Sequence, residues 1–161
     1  MVVDWPFFRQ GYHEQACQGD CHDKALSLRV TYWRGEGTAA VDAANLAGKT
    51  ILVVEEQPLI ALDLQITLKQ ANAKAFIARN PEEALTRISQ FDFAAGVIEW
   101  RPQSDQYRRI ARALKKKGAR FVFYATHPPE DVTTARGAPI FIKPERPEKI
   151  VAALARLVGA E

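Results

Sequence analysis

From Lys49 onward the chain alternates short apolar runs with longer segments whose apolar residues recur at helical spacing, and no comparable period runs through residues 1–48. Ile51 to Val54 is a compact run rich in β-branched residues, fit for a strand buried on both faces. Pro58 opens a helix at its first turn, where its missing N–H costs nothing, with Leu59, Leu62 and Ile66 on one stripe and Ile60, Leu64 and Leu68 beside it. Ala75 to Ala78 predicts a second strand. Asn80 then caps a helix that starts at Pro81, with Glu83 at its third position and Leu85 and Ile88 facing inward. Ala94 to Ile98 is the third strand, Gln106 to Lys117 the third helix, ended by Gly118, and Phe121 to Ala125 the fourth strand. The polar stretch 128–136 fits a weak helix or a loop. Ile140 to Ile142 is the fifth strand, and Pro147 to Val158 the last helix, with Ile150, Val151, Leu154 and Leu157 inward.

Strands that alternate with helices, through connections too long for hairpins, imply right-handed crossovers and helices on both faces of a parallel sheet. The expected fold is therefore α/β, a doubly wound five-stranded parallel sheet of flavodoxin-like type. In such sheets chemistry gathers at the carboxyl ends of the strands, where the strand order reverses. The residues at those ends are Glu55 and Glu56 after the first strand, Glu99 at the end of the third, Ala125 and Thr126 at the end of the fourth, and Lys143 after the fifth. Any one of them alone is an ordinary solvated strand terminus. Three carboxylates at one edge repel one another, and so either bind a hard cation through oxygen or pair with a neighbouring positive side chain, which Lys143 supplies.

Composition narrows the class. At 161 residues the chain holds one ordinary domain, expected over residues 49–161, and an appendage, residues 1–48, expected to be a poorly ordered N-terminal extension whose aromatics include Trp5, Phe7, Phe8 and Trp33. With 47% hydrophobic and 25% charged residues and no run near the roughly 18 apolar residues of a membrane span, a soluble protein is expected. The amino terminus lacks the charged start and long apolar stretch of a secretory signal, which places the protein in the cytoplasm. The formal charge of +3 is uneven: residues 1–48 carry four Lys/Arg against six Asp/Glu, and 49–161 carry eighteen against thirteen. Seven of the eighteen lie between Arg108 and Arg120, a solvated helix face or an attractant for an anionic partner. His13, Cys17, Cys21 and His22 have residue types that suit zinc, but not the spacing of a standard finger.

Within this pattern the stretch KTILVVEEQPLIALDLQITLKQANAK resembles the opening of a response-regulator receiver domain. AAGVIEW resembles that family's third strand, FVFYATH its fourth and IFIKPERPEKI its fifth with the lysine-proline ending, in the right order over about 110 residues. The resemblance implies that Glu55 and Glu56 fall on the acidic pair that holds magnesium, Glu99 on the phosphorylated aspartate, and Lys143 on the lysine that contacts the phosphoryl group. The gap-free match puts Ala125 at the Thr/Ser switch position and Thr126 one residue late; a shift of one restores the hydroxyl. Ile140 occupies the place of the switching aromatic, with Phe141 pointing to the other face.

The departures shape the functional expectation. Glutamate at 99 carries its carboxylate one methylene further out, on the order of 1.5 Å, and in-line phosphoryl transfer depends on closer placement than that. Arg101, two residues on, is positioned to pair with Glu55, Glu56 or Glu99. The site is thus expected either to be neutralised by Lys143 and Arg101 without a metal, or to retain weak Mg²⁺ binding through Glu55, Glu56 and Glu99. The chain reads as a stand-alone pseudo-receiver in phosphorelay signalling, not an enzyme, that acts by phosphorylation-independent protein binding. Because little sequence follows Val158, its expected partner is another chain: a histidine kinase, a phosphotransfer protein or another signalling protein, with homodimerisation also open. Two alternatives remain, weak Mg²⁺-dependent phosphoacceptance and anionic-partner binding through the 108–120 cluster. Nucleic acid is the less expected anion there, since no aromatics interleave the cluster.

Overall fold

The computed structural model of the chain describes residues 46–101, 104–127 and 138–159. The expectations for an N-terminal extension, for the string from His13 to His22 and for the segment 128–136 lie outside these residues. Five strands and four helices follow one another as β1 (Thr50–Val54), α1 (Pro58–Gln70), β2 (Lys74–Ala78), α2 (Pro81–Gln90), β3 (Ala95–Trp100), α3 (Asp105–Lys116), β4 (Arg120–Ala125), β5 (Ile140–Ile142) and α4 (Pro147–Gly159). The strands form one sheet in the order β2-β1-β3-β4-β5, with every neighbouring pair parallel. This is the doubly wound sheet that the alternating pattern predicts.

Strand alternation divides the interior in two. Ile51, Val53, Val97, Val122, Tyr124 and Phe141 face α1 and α4, where Leu64, Leu68, Ile150 and Leu154 close the first core. Leu52, Val54, Ile98, Phe121 and Phe123 face α2 and α3, where Ile88, Ile110 and Leu114 close the second. The packed unit begins slightly earlier than Lys49: Leu46 is fully buried in the first core, and the Gly48 N–H bonds the Asn72 carbonyl at 2.9 Å.

The local signals act as their chemistry dictates. Asn80 Oδ1 accepts from the Glu83 N–H at 2.8 Å, and Glu83 Oε2 accepts in return from the Arg79 N–H at 3.0 Å, so donors left over at the start of α2 are satisfied from both directions. Gly118, at φ +78°, turns the chain out of α3 in the left-handed conformation that only glycine adopts without strain.

One expectation needs correction. The third strand runs from Ala95 to Trp100 instead of Ala94 to Ile98, because the ladder to β4 continues through Glu99↔Tyr124 and Trp100↔Ala125. Glu99 is therefore a residue inside the strand, not its terminus. On α1, Leu64 and Leu68 pack with Ala61 against the sheet, whereas Leu59, Leu62 and Ile66 point outward at 79%, 49% and 46% exposure. The helix carries apolar residues over more of its circumference than the sheet can cover. Small Ala61, on the Leu64–Leu68 arc, lets the helix axis approach the strands on that side.

Candidate functional site

Glu55, Glu99 and Lys143 come together at the carboxyl edge of the sheet because strand alternation aims all three at the same face. Glu55 continues the inward series of Ile51 and Val53, and Glu99 that of Ala95 and Val97. Lys143 follows β5 immediately, held by its N–H to the Ala125 carbonyl at 2.7 Å. Glu55 and Glu99 are the buried charged residues among those described, at 1% and 4% exposure.

Buried carboxylates survive only with partners, and each oxygen here has one. Lys143 Nζ donates to Glu55 Oε2 at 2.7 Å and to Glu99 Oε1 at 3.2 Å, bridging the two acids. Glu55 Oε1 accepts from the Gln57 N–H at 3.0 Å, which ties the carboxylate to the start of α1. Arg101 donates to Glu56 Oε2 in a close contact and reaches Glu99 Oε2 at 3.4 Å. The ammonium of Lys143 also lies 5.1 Å from the centre of the Tyr124 ring, whose hydroxyl donates to the Glu145 carbonyl at 3.0 Å. The result is a chain of alternating charge, Glu55–Lys143–Glu99–Arg101–Glu56, buried at one end and open to solvent at the other.

The positions named from sequence divide into two groups. Glu55, Glu56, Glu99, Arg101 and Lys143 are joined in this chain. Ala125 and Thr126 are not: Ala125 is fully buried in the second core, on the other face of the sheet, and Thr126 follows it exposed. Ile140 and Phe141 fall in the second and first cores respectively, on opposite faces as expected. Sequence reasoning missed Tyr124, whose ring supports Lys143. Its signal was present, since a residue one place before Ala125 on a strand neighbouring β3 must face the same side as Glu99.

Mg²⁺ demands several oxygen ligands in near-octahedral array. Among the described residues no three carboxylate, histidine or cysteine side chains group in a way that could hold a metal ion. Glu55 and Glu99 are spanned by an ammonium, and Glu56 is drawn to Arg101, so the set Glu55, Glu56 and Glu99 does not fit the ion as these side chains stand.

Burial, more than any other influence, raises the Glu55 pKa above the ordinary 4.5; Glu99 adds to it, and the Lys143 and Gln57 hydrogen bonds oppose it. A carboxyl that holds its proton more tightly when folded stabilises the fold at low pH. That contribution is complete below the unfolded pKa and is lost as pH rises through the folded one. The unfolding free energy of the native protein is therefore expected to carry a component that falls as pH rises above 4.5, and Glu55→Gln is expected to flatten it. Urea titrations from about pH 4 to about pH 8 measure this; identical slopes in both proteins would assign the component to another group.

The parallel β2-β1-β3-β4-β5 sheet with helices on both faces has the fold of solved response-regulator receiver domains. A response regulator from Thermotoga maritima superposes with a TM-score of 0.60 over 70% of this chain and 98% of its own, at 15% identity. A response regulator receiver protein from Sinorhizobium medicae gives 0.64 over 71% and 98%, at 19% identity. The response regulator PhyR from Brucella abortus gives 0.61 over 74% of this chain at 18% identity, and this chain spans 51% of PhyR's length. The likeness lies in the fold. No family model matches the sequence, and no curated protein matches it.

Proposed function

We propose that the chain is a pseudo-receiver, a signalling module that acts by binding another protein and not by accepting a phosphoryl group. The observation that carries this reading is the state of Glu99. Its Oε1 faces the buried Lys143 and its Oε2 faces the half-exposed Arg101, so both oxygens are engaged by cations. An acceptor carboxylate must present an oxygen in line with the incoming phosphorus, with cations left to neutralise the developing charge. Here those cations are committed to carboxylates, and Glu99 itself supplies a fixed negative charge beside Lys143.

The binding surface in this reading is α1. Leu59, Leu62 and Ile66 form an exposed stripe at helical spacing, and Leu62, Pro58, Ala61 and Ile77 line an adjoining groove of about 540 Å³ that reaches Glu55 at the sheet edge. An exposed apolar stripe beside a site is the mark of a protein contact. It suits the amphipathic helix of a histidine kinase, a phosphotransfer protein or another signalling protein.

The test is a thermal melt and intact mass of the native protein with Mg²⁺ and beryllofluoride, and with acetyl phosphate, alongside Glu99→Asp. The native protein is expected to show neither a shift in Tm nor a mass gain. A saturable Tm shift, or one phosphoryl added at Glu99, overturns the reading.

A further inference from the structure

We propose a second site, for a small-molecule oxyanion, in the crevice between the carboxyl ends of β1, β2 and β3 on the α2/α3 side of the sheet. It is a cavity of about 390 Å³ lined by Arg79, Asn80, Arg101, Ser104 and Tyr107, with Glu56 at its border to the ion-pair chain. The position is significant in itself: β1 lies between β2 and β3, so the strand order reverses here, and such reversals open the crevices in which doubly wound sheets seat ligands.

Three observations point to an anion. Tyr107 is 94% buried, being 6% exposed, yet among the described residues its hydroxyl has no hydrogen-bond partner. Nor is it sealed off, because the buried side-chain polar atom without a partner among those residues is Trp100 Nε1. Tyr107 lines the crevice, so its phenol is a donor there that no described side chain or backbone group engages. The Arg79 guanidinium makes no hydrogen bond or ion pair among the described residues. It stands within electrostatic reach of Glu83, but that carboxylate is engaged by Arg87 at 2.7 Å and by the Arg79 N–H. Finally, α3 starts at the cavity wall without a side-chain cap: Ser104, its N-cap residue, makes no capping hydrogen bond, and Gln106 of the first turn also lines the space. The uncapped N–H groups and the positive end of the helix add to the arginines.

Charge supports the same sign. The carboxylate in the lining, Glu56, is held by Arg101, which leaves Arg79 as the cation that a ligand can take. Burial is the largest influence on the Tyr107 hydroxyl and raises its pKa; Arg101 opposes this, and Glu99 and Glu56 reinforce it, so the group stays protonated as a donor. An arginine fork with a phenol and backbone N–H groups is the donor set that fits a phosphate or a carboxylate. The cavity volume sits at the low end of small-ligand sites, which suits a small metabolite more than a polymer.

The experiment is a titration of the full ¹⁵N-labelled chain with inorganic phosphate, and separately with acetate, at constant ionic strength adjusted with chloride. The expected result is saturable movement of the Arg79, Asn80 and Tyr107 amide signals. Arg79→Gln is expected to weaken this about tenfold, the effect of losing one charge-assisted hydrogen bond. Tyr107→Phe, which keeps the ring and its packing, is expected to weaken it severalfold without lowering Tm. Tighter binding of phosphate assigns the site to a phosphate-bearing ligand, and equal or tighter binding of acetate assigns it to a carboxylate. Shifts that grow linearly with either anion, or that are unchanged in Arg79→Gln, overturn the proposal. Because the readout lies in the β2–α2 turn and on α3, it is independent of whether Glu99 accepts phosphate.

Discussion

Replacing Lys143 with methionine is expected to destabilise the protein by about 3–5 kcal/mol at neutral pH, the range for removing one partner from a buried ion pair. The side chain is 8% exposed and bridges two carboxylates that are themselves 1% and 5% exposed. Methionine fills a similar volume, so cavity formation contributes little and the loss reports the charges. Glu55 and Glu99 would then face one another in a low-dielectric pocket with no cation between them; of the two, Arg101 reaches Glu99 alone, and it is also engaged by Glu56. Burial and Glu99 already favour the protonated form of Glu55, and loss of Lys143 favours it further, so the defect should be smaller near pH 5 than near pH 7 in urea unfolding. A loss that is the same at both values would mean that the methionine disturbs packing and not charge. Lys143→Arg separates the two further: the charge is retained, but the planar fork has to displace the Tyr124 ring that now lies beneath the ammonium.

The second large effect lies on α1, where opposite sides of one turn should respond very differently. Leu64→Ala is expected to cost about 2–5 kcal/mol, the range for removing a leucine side chain from a packed core. Leu64 is fully buried between the sheet and α4, in the core that also contains Ile150 and Leu154. Leu62→Ala, two residues away, is expected to change stability by less than about 1 kcal/mol, since surface substitutions seldom do more. Its consequence belongs to the proposed binding surface instead. Paired denaturation curves decide the matter: comparable losses in the two variants would show that the outward stripe is covered by some other part of the protein. The contrast also protects the functional test, because a partner-binding defect in Leu62→Ala cannot then be ascribed to unfolding.

Much of the architecture is legible in the sequence. Ile51–Val54 and Phe121–Ala125 are apolar at every position, as strands buried on both faces must be, and Pro58, Asn80 and Gly118 mark helix ends by chemistry that acts within a few residues. The convergence of Glu55, Glu99 and Lys143 was legible too, because in a parallel sheet the carboxyl ends of all strands lie at one edge. The α1 stripe was not. Its apolar residues cover two adjacent arcs, and a helical period reports that an apolar face exists without choosing which arc meets the sheet. The choice followed from Ala61, which permits close approach on the Leu64–Leu68 side. Nor could the extent of β3 be read, since Glu99 and Trp100 are strand residues only through the register that β4 imposes.

By itself, then, the sequence determined what local chemistry and periodicity control: the order of strands and helices, the parallel doubly wound sheet, and the edge at which its acids and lysine collect. The tertiary structure alone decided which charges meet. Sequence spacing allowed Arg101 three acidic partners, and packing directed it to Glu56 and Glu99 while Lys143 bridged Glu55 and Glu99. It also brought Arg79, just after β2, and Tyr107 of α3 to one cavity from places far apart in the chain. The physical reason is range. Caps, turns and alternation act over a few residues, whereas an ion pair or a ligand crevice depends on where separate elements come to rest, and that is set by the fit of whole faces against one another.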